Sequence, residues 1–369
     1  MYNILTLNKI AKCGTSKFDT AKYTVGDSVE NPTGIMVRSA VMHDMEFGAD
    51  LLAIGRAGAG VNNIPVEKCA EAGIVVFNTP GANANAVKEL VLAGLFLASR
   101  KVTKAVQWAS TLEDTAEMNV AKQVEKGKSN FGGCEITGKT LGIIGLGAIG
   151  RKVAFAAKAL GMTVVGTDPF LSEAAAKELE GTCKIVSTKE EIYAEADYIT
   201  LHVPCNNDTK GFFNADVFAK CKDGVKVLNF ARGELVNDDD LEKAIASGKV
   251  SAYVTDFPNA KTVKMDGVVA IPHLGASTEE SEDNCAMMAA DELIDYIENG
   301  NIKNSVNFPN VSADAAKKVC VLHKEGVSLP GTVLATGAKK GFGYTILADG
   351  DEAALKAIDG VIRVRVIGA

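Results

Sequence analysis

Residues 140–168 read TLGIIGLGAIGRKVAFAAKALGMTVVGTD, and this stretch decides the fold of the chain. An apolar run at 141–144 predicts a buried parallel strand, and it leads directly into Gly145, Gly147 and Gly150 with the spacing GxGxxG. The first glycine permits a tight turn, the second lets a pyrophosphate approach the backbone, and the third lets the following helix pack closely on the strand. The stretch therefore predicts a dinucleotide-binding βαβ unit.

The rest of the stretch indicates which dinucleotide is bound. Free N–H groups at the start of the helix, at Ala148 and Ile149, are expected to face the phosphates. A second apolar run at 162–166 leads to Asp168, eighteen residues past Gly150. A carboxylate there accepts both ribose hydroxyls of NAD and repels the 2′-phosphate of NADP. A glycine-rich turn with only a packing role is the alternative, but the flanking strands, helix and acid favour an NAD site.

Length and composition limit the class of protein. A chain of 369 residues is too long for one ordinary core, so two or three domains are expected. Hydrophobic residues at 47% and charged residues at 23% are typical of folded globular proteins. The net charge of −7 and the absence of a Lys/Arg cluster argue against nucleic acid or an anionic membrane as the main partner. An anionic substrate therefore needs a local group of cations.

The cysteines and the N-terminus favour a cytoplasmic protein. The eight cysteines are scattered without CxxC spacing, which predicts buried free thiols. No group of His, Cys and Asp has metal-ligand spacing, so no metal is expected. The N-terminus lacks a signal-peptide pattern, and the longest apolar run, residues 90–98, is too short to cross a bilayer.

Apolar runs alternate with helical stretches along most of the chain, which predicts an α/β fold with a doubly wound parallel sheet. Strands are expected at residues 34–37, 51–54, 74–77, 198–203, 225–230, 251–257 and 268–271. Helices are expected from residue 84 towards residue 108 and over residues 278–298, with a polar crossing loop at 111–133. Strands at 319–322, 342–347 and 361–367 with a helix at 352–358 predict a small terminal domain.

Three side chains are candidates for chemistry because each follows a predicted parallel strand, at the edge where open α/β sheets bind ligands. Arg232 can hold a carboxylate with two parallel hydrogen bonds, although a surface ion pair is the alternative. A neutral His273 can accept the proton of a substrate hydroxyl; a lone histidine is more often structural, but this position favours catalysis. Asp256 ends the strand between them, and His202 also ends a strand and is expected beside the cofactor.

Several motifs together resemble the D-2-hydroxyacid dehydrogenase family. They are GLGAIGR at 145–151, LHVPCNNDTKGFF at 201–213, NFARGELV at 229–236, VTDFP at 254–258 and IPHLGAST at 271–278. VRSA at 37–40 and GRAGAGVNNIPVEKCAEAGIVVFNTPGANANAVKEL at 55–90 resemble the D-3-phosphoglycerate dehydrogenases within that family. The resemblance covers about residues 34–300.

The resemblance implies three domains. A flavodoxin-like substrate domain comprises residues 1–97 and 284–305, and a Rossmann-type NAD-binding domain at 98–283 is inserted in it, with the catalytic cleft between them. Residues 306–369 resemble a shortened α+β ACT domain. Homodimers or homotetramers are expected, because members of the family pair through the cofactor domain and residues 111–133 are long enough to reach a partner.

The resemblance also implies roles for individual residues. Arg232 would bind the substrate carboxylate, His273 would be the acid/base, and Asp256 would hold the nicotinamide carboxamide. Further cofactor contacts would come from Thr79, Val203, Phe230, Ala231, Gly275 and Ala276. The substrate would be bound by Arg38, Ser39, Arg56, Gly58 and Asn83. Arg38 and Arg56 suit a phosphate, although ordinary surface arginines are the alternative.

The chain departs from the family pattern in two places. Lys261 occupies the position of the glutamate that partners the catalytic histidine, and Asp266 is a possible substitute. In the terminal domain the first ACT helix is missing and Glu325 replaces a frequent effector-binding asparagine. Feedback by serine is therefore not expected, although the domain can still mediate subunit contacts.

The leading functional expectation is NAD-dependent oxidation of 3-phospho-D-glycerate to 3-phosphohydroxypyruvate, which starts serine biosynthesis. Another 2-hydroxy or 2-keto acid, such as glyoxylate or hydroxypyruvate, is the alternative within the same chemistry. An NAD(H)-sensing transcriptional co-regulator with the same fold is the alternative from another class, since fold alone does not determine function.

Overall fold

The computed structural model describes residues 1–368. The strands are β1 (Tyr2–Leu7), β2 (Tyr23–Gly26), β3 (Gly34–Val37), β4 (Ala53–Arg56), β5 (Val75–Asn78), β6 (Thr140–Ile144), β7 (Thr163–Thr167), β8 (Lys184–Ile185), β9 (Tyr198–Leu201), β10 (Val225–Asn229), β11 (Val250–Thr255), β12 (Val268–Ala270), β13 (Lys318–Lys324), β14 (Val333–Lys339), β15 (Phe342–Leu347) and β16 (Val361–Ile367). The helices are α1 (Lys12–Thr15), α2 (Val66–Glu71), α3 (Ala84–Ser99), α4 (Val102–Ala109), α5 (Val120–Gly127), α6 (Ala148–Ala159), α7 (Glu173–Glu178), α8 (Lys189–Glu195), α9 (Ala215–Lys220), α10 (Asp238–Ala246), α11 (Glu279–Asn299) and α12 (Glu352–Lys356). None of the helices in residues 1–368 is long and apolar enough to span a membrane.

The chain divides into two compact units, one formed by residues 1–83 together with the part from 278 onward, and the other by residues 84–277. The predicted domain boundaries, at 97/98 and 283/284, lie instead inside α3 and α11. Helix α3 belongs wholly to the second unit, since it packs on α6, β10 and β11. Helix α11 belongs wholly to the first unit, where it packs on α1 and β4.

The first unit contains a five-stranded parallel sheet in the order β2-β1-β3-β4-β5. This is the order of a flavodoxin-like sheet, so the fold class expected for this part is confirmed. Helix α11 lies close to the sheet at Gly55, where a Cβ atom would be 3.0 Å from the Leu293 side chain. The helix begins after Thr278, whose side chain accepts a hydrogen bond from Ser281 N, and it ends at the left-handed Gly300.

The second unit contains a seven-stranded parallel sheet in the order β12-β11-β10-β9-β6-β7-β8. The chain winds outward in one direction from β6 to β8 and in the other from β9 to β12, so the doubly wound Rossmann fold is confirmed. Helices cover both faces, and the strands are accordingly buried apolar runs, such as the four buried residues of β9. All parallel strands of this sheet end at one edge, where ligands of such folds bind.

The prediction of one long helix from residue 84 towards residue 108 is wrong. The helix ends at Ser99, whose carbonyl accepts a hydrogen bond from Cys134 N at 3.0 Å, and a separate helix, α4, begins at Val102. The Ser99 hydroxyl is also fixed, since it donates to Leu95 O at 2.6 Å and bonds Tyr198 Oη at 2.7 Å. These tertiary hydrogen bonds end the helix at Ser99, although the apolar pattern alone predicts that it continues.

The stretch at 111–133, expected as a polar loop, contains α5 and a 3-10 helix at Lys128–Phe131. The Trp108 and Phe131 rings lie 5.1 Å apart and connect α4 to this segment. Helices α4 and α5 have no buried residue, and they leave Val102, Val106 and Val120 exposed. We call α4, α5 and the 3-10 helix the arm.

The terminal strands form an antiparallel sheet in the order β14-β15-β13-β16, which is consistent with an ACT-like unit. As expected, no helix separates β13 from β14. In contrast to the predicted third domain, this sheet does not form a compact unit of its own. Cys320, Tyr344 and Ile346 belong to the same apolar core as Tyr296 and Phe308, because one face of the sheet packs on the end of α11 and the segment that follows.

Candidate active site

The glycine loop after β6 forms a cradle of backbone. Gly145 has a φ of +100°, and a Cβ there would lie 2.5 Å from His202 O. A Cβ at Gly150 would lie 2.0 Å from Gly145 O, so only glycine at this position lets α6 pack so closely on the loop. A Cβ at Gly147 would have no atom within 4 Å, which leaves open space at the start of α6. The N-terminal N–H groups and this open space fit a pyrophosphate.

Asp168 follows β7 beside the glycine loop. Its Oδ2 accepts a hydrogen bond from Leu146 N at 2.9 Å, and its Oδ1 accepts one from Phe170 N at 2.9 Å. Each carboxylate oxygen has a second lone pair, so the group can still accept hydrogen bonds. A half-buried carboxylate held in this position fits the ribose diol predicted for it.

Asp256 follows β11 and is buried. Its Oδ2 accepts a hydrogen bond from Gly275 N at 3.0 Å, whereas Oδ1 is buried without a partner in residues 1–368. Burial is the largest influence and raises the pKa of this carboxyl, while His273 and Arg232 lower it electrostatically. A buried acceptor without a donor is costly, so the orphaned oxygen fits the amide N–H₂ of a nicotinamide.

His202, at the end of β9, contains a second buried polar atom of this kind. Its Nε2 bonds Thr200 Oγ1 at 3.0 Å, and its Nδ1 has no partner in the described part of the chain. Burial lowers the pKa of His202 to about 4, so its ring is neutral at neutral pH. The backbone carbonyl of His202 lies against the glycine loop.

Arg232 and His273 both contact one aromatic ring. The His273 ring lies 4.5 Å from the Phe257 ring, and the Arg232 guanidinium lies 5.7 Å from the same ring. Both side chains are exposed, and no carboxylate oxygen in residues 1–368 lies within 4.0 Å of either. The structure thus brings these two residues together, at the carboxyl edge of the seven-stranded sheet, with Asp256 adjacent in sequence to the shared ring.

The turn that carries Arg232 is held by Asn229, the last residue of β10. Its side-chain amide donates to Arg232 O at 2.8 Å and to Tyr253 Oη at 3.1 Å, and its Oδ1 accepts from Ala231 N at 3.2 Å. Asn229 is fully buried. One buried amide therefore fixes the direction in which the backbone leaves the strand.

The other predicted cofactor residues of the second unit lie at the same edge. They are Val203, Phe230, Ala231, Gly275 and Ala276, together with Ala148 and Ile149 in the first turn of α6. Phe230 is buried against α3, where a Cβ at Gly94 would lie 2.8 Å from its ring. It therefore has a packing role in the structure, whereas Val203 and Ala231 are only half-buried.

Arg56, Gly58 and Thr79 are brought together in the first unit. Arg56 ends β4, and its guanidinium lies over Gly58, where a Cβ would be 1.3 Å from Arg56 Nη1. Thr79 follows β5, its N–H donates to Gly58 O at 3.1 Å, and its buried hydroxyl has no partner among residues 1–368. The φ of +142° favours glycine at position 58, and the absence of a side chain there leaves room for the Arg56 guanidinium.

The remaining substrate candidates are placed less simply. Arg38 follows β3, next to β4, and its Nη2 forms an ion pair with Glu282 at 2.7 Å. Ser39 is exposed, and its N–H donates to Asn8 Oδ1 at 2.9 Å. Asn83 is half-buried at the end of the first unit. Arg38 is thus compensated by a carboxylate, which the sequence did not indicate.

Comparison with known proteins agrees with this geometry. Residues 99–275 match the model of the NAD binding domain of the D-isomer specific 2-hydroxyacid dehydrogenases. A D-3-phosphoglycerate dehydrogenase of Archaeoglobus fulgidus is 37% identical over 290 residues, which is 75% of this chain and 52% of that relative. The chain belongs to the D-2-hydroxyacid dehydrogenase family. It spans about half the length of the curated relatives it matches.

Solved structures of the family have the same fold. A glyoxylate reductase from Paecilomyes thermophila is 25% identical with a TM-score of 0.68, covering 83% of this chain and 98% of its own. An NAD⁺-bound 3-phosphoglycerate dehydrogenase of Entamoeba histolytica is 26% identical with a TM-score of 0.63, with the same shares covered. NAD is accordingly the cofactor of the domain, and the backbone cradle and the orphaned Asp256 oxygen fit it.

Among residues 1–368, no carboxylate pairs with His273 in place of the family glutamate. Lys261 forms ion pairs with Asp239 and Glu242, so it is directed to α10. The hypothesis that Asp266 substitutes is wrong, because Asp266 is exposed and paired with Lys104. The aromatic face of Phe257 is the neighbour that the structure gives this histidine.

Sequence reasoning missed two residues of this D-2-hydroxyacid dehydrogenase site. Phe257 lies in the motif VTDFP and Asn229 begins NFARGELV, but neither motif by itself indicates a role for these residues. A polar residue at the end of an otherwise apolar strand is a usable signal for Asn229, since a buried amide must find partners. No sequence pattern indicates that one ring contacts both Arg232 and His273.

Proposed function

We propose that this chain oxidises 3-phospho-D-glycerate to 3-phosphohydroxypyruvate with NAD as hydride acceptor, the first step of serine biosynthesis. The observation that carries the proposal is the convergence of Arg232 and His273 on Phe257, at the carboxyl edge of the NAD-binding sheet. A carboxylate-binding cation and a proton acceptor next to a hydride acceptor are what oxidation of a 2-hydroxy acid requires. Relatives named D-3-phosphoglycerate dehydrogenase support the choice of substrate.

Arg232 binds the substrate carboxylate. Its Nη1 already donates to Ala231 O at 2.6 Å, which fixes the guanidinium while four N–H donors remain of its five. Two of these can form parallel bonds to the two carboxylate oxygens, and this geometry orients the hydroxyl carbon. Since no carboxylate within the described part of the chain pairs with Arg232, the cation is available to the substrate.

His273 removes the hydroxyl proton. The ring is exposed and packs on Phe257, so contact with the aromatic face limits its orientation. In the direction of oxidation, one imidazole nitrogen accepts the proton of the hydroxyl as the C–H bond breaks. NAD, when bound, would supply the acceptor for the hydride, and His273 returns the proton in the reverse reaction.

Arg56 and Arg38 are the residues we assign to the substrate phosphate. Arg56 is positioned by its contact with Gly58, and Ser39, Gly58 and Asn83 supply hydrogen-bonding groups. Arg38 is bound to Glu282 and must leave it, or share it, to bind an anion. In a chain with a net charge of −7, these two cations account for selection of a doubly anionic acid.

The assembly and location that we propose follow from two further observations. Val102, Val106 and Val120 are exposed on the arm, and this supports a homodimer. Covering such apolar side chains by a partner removes them from water, which is favourable. All eight cysteines are free, which supports a reducing, cytoplasmic location.

No helix lies between β13 and β14, and this supports the proposal that serine does not inhibit the enzyme. Inhibition by millimolar serine would contradict it.

Turnover tests the proposal directly. NADH absorbance is followed with purified protein, NAD, a carbonyl trap and 3-phospho-D-glycerate, beside glycerate, lactate and 2-hydroxyglutarate. Turnover with the phosphorylated acid, lost in Arg56→Ala and His273→Ala, supports it. Faster turnover with an unphosphorylated acid, or with glyoxylate in reverse, assigns a different family substrate. Tight NADH binding without turnover of any acid favours the co-regulator.

A further inference from the structure

A cavity of about 330 Å³ opens in the first unit on the side of the terminal sheet. It lies along β16, which is an edge strand, and beside α12. Its lining combines apolar side chains with three cations: Ala49, Leu52, Ile362 and Val364, and Lys356, Arg363 and Arg365. The volume is at the lower end of the range for small-ligand sites, roughly 300–1,000 Å³.

The cavity shares no residue with the candidate active site. Leu52 precedes β4, whereas Arg56 ends that strand. Ala72, whose carbonyl contacts Arg363, precedes β5, whereas Thr79 follows it. The cavity therefore lies at the amino ends of the parallel strands, opposite to the edge that carries the substrate candidates of the same unit.

Backbone carbonyl groups, and not carboxylates, hold Arg363 and Arg365 in place. Arg365 donates from Nη1 to Tyr296 O at 3.0 Å and from Nη2 to Ile297 O at 2.6 Å, and it lies over the Tyr296 ring. Arg363 donates from Nη2 to Ala72 O at 3.3 Å. These bonds hold both guanidinium groups in place before any ligand arrives, yet each retains most of its five N–H donors.

The positive charge at the cavity is only partly compensated. In residues 1–368, neither Arg363 nor Arg365 has a carboxylate oxygen within 4.0 Å. Lys356 is paired with Glu352 at 2.6 Å, and Asp50 acts on Arg363 only electrostatically. Burial together with Arg365 lowers the pKa of Arg363, as expected for two like charges partly removed from water. An anion placed between them would relieve this repulsion.

We propose that this cavity binds a small organic phosphate through Lys356, Arg363 and Arg365. Guanidinium forks match the oxygens of a phosphate, and Lys356 adds a third donor. Leu52, Ile362 and Val364 form an apolar wall against which a carbon skeleton packs. The site is independent of the proposed turnover, and it connects the terminal sheet to the five-stranded sheet through one ligand.

The test is calorimetric titration of the full chain with phenyl phosphate as the probe. The parent protein is expected to bind it, and Arg363→Gln is expected to weaken binding about tenfold or more, the effect of one charged hydrogen bond. Lys356→Gln changes an exposed side chain that the fold does not need, so it tests the site even if Arg363→Gln fails to fold. Its expected loss is about threefold, since one exposed charge contributes less.

Two control variants separate this cavity from other anion sites. Lys317→Gln removes an exposed cation preceding β13 and is expected to bind phenyl phosphate like the parent. Arg56→Gln removes a substrate cation and is expected to keep the binding that depends on Arg363. Equal binding by the Lys356 and Arg363 variants and the parent overturns the proposal. Loss of binding in Arg56→Gln instead assigns the phosphate to the candidate active site and likewise overturns it.

Discussion

Two buried carboxyl groups, one in each unit, differ in what surrounds them. Asp256 accepts from Gly275 N with one oxygen, and Glu292 accepts from Asn304 Nδ2 at 2.8 Å with one oxygen; the second oxygen of each is buried without a partner in the described residues. Burial raises the pKa of both groups. Cations oppose the rise at Asp256, whereas Asp291 adds to the rise at Glu292, where the pKa reaches about 8.

Burial alone therefore does not identify a ligand site. Arg232 and His273 favour the charged form of Asp256, so this group can present an anionic acceptor to a ligand. In residues 1–368 no such cation acts on Glu292, and with a pKa of about 8 this group mostly keeps its proton at neutral pH.

His273→Gln removes the proton acceptor from the edge that carries Asp256. We expect kcat to fall about 10²–10⁴-fold, the usual contribution of general acid–base catalysis, with little change in NADH affinity. Steady-state NADH absorbance and fluorescence titration measure the two effects. His43→Gln, at an exposed histidine of the first unit, is the control. A loss below about threefold would assign proton transfer to another group.

Glu292→Gln replaces a buried acid by a neutral amide. The pKa of Glu292 is raised from 4.5 to about 8, so the folded state binds more protons than the unfolded state between these values. The free energy of unfolding of the parent therefore falls as pH rises through this window. Glu292→Gln lacks this titrating group, so its free energy of unfolding does not fall in this window. At alkaline pH it is expected to exceed that of the parent by on the order of 2–4 kcal/mol.

Denaturant unfolding from acid to alkaline pH measures this difference. Glu280→Gln, at an exposed acid of the same helix, is the matched control and is expected to follow the parent at every pH. If Glu292→Gln is already more stable than the parent by the full amount at acid pH, packing and not protonation accounts for the difference.

Asp256→Asn keeps an acceptor for Gly275 N but removes the negative charge. The amide also offers N–H₂ where the nicotinamide requires an acceptor, so we expect NADH to bind about tenfold more weakly, the effect of one charged hydrogen bond. Fluorescence titration measures the affinity. Asp266→Asn, an exposed acid of the same unit, should leave it unchanged; an unchanged affinity in Asp256→Asn as well would remove Asp256 from the cofactor site.

Glu282→Gln releases Arg38 from its ion pair. Because exposed pairs contribute about 0–1 kcal/mol, KM for 3-phospho-D-glycerate is expected to fall by only about two- to threefold at low salt. The gain should disappear at high salt, where such charges are screened. Glu279→Gln, an exposed acid of the same helix, serves as control. A rise in KM would show that the Arg38–Glu282 pair holds Arg38 in its binding position.

Much of this could be predicted from the sequence, for physical reasons. The seven-stranded sheet follows from apolar runs with glycines at fixed spacing, and residues after parallel strands necessarily meet at one edge, which placed Asp256 and His273 together. The end of α3 at Ser99 depends on a bond from Cys134, thirty-five residues away, and no local pattern reports it. The same holds for the Arg38–Glu282 pair and for the shared Phe257 ring.

The core that joins the terminal sheet to the five-stranded sheet has a consequence for synthesis of the protein. Ile4 and Ile346 lie in one apolar cluster, so the N-terminal strands cannot complete their packing until the last strands leave the ribosome. The part at 84–277 is continuous in sequence and contains its own contacts, so it can finish folding earlier. Residues 1–83 are therefore made before residues 84–277 but complete their packing after them.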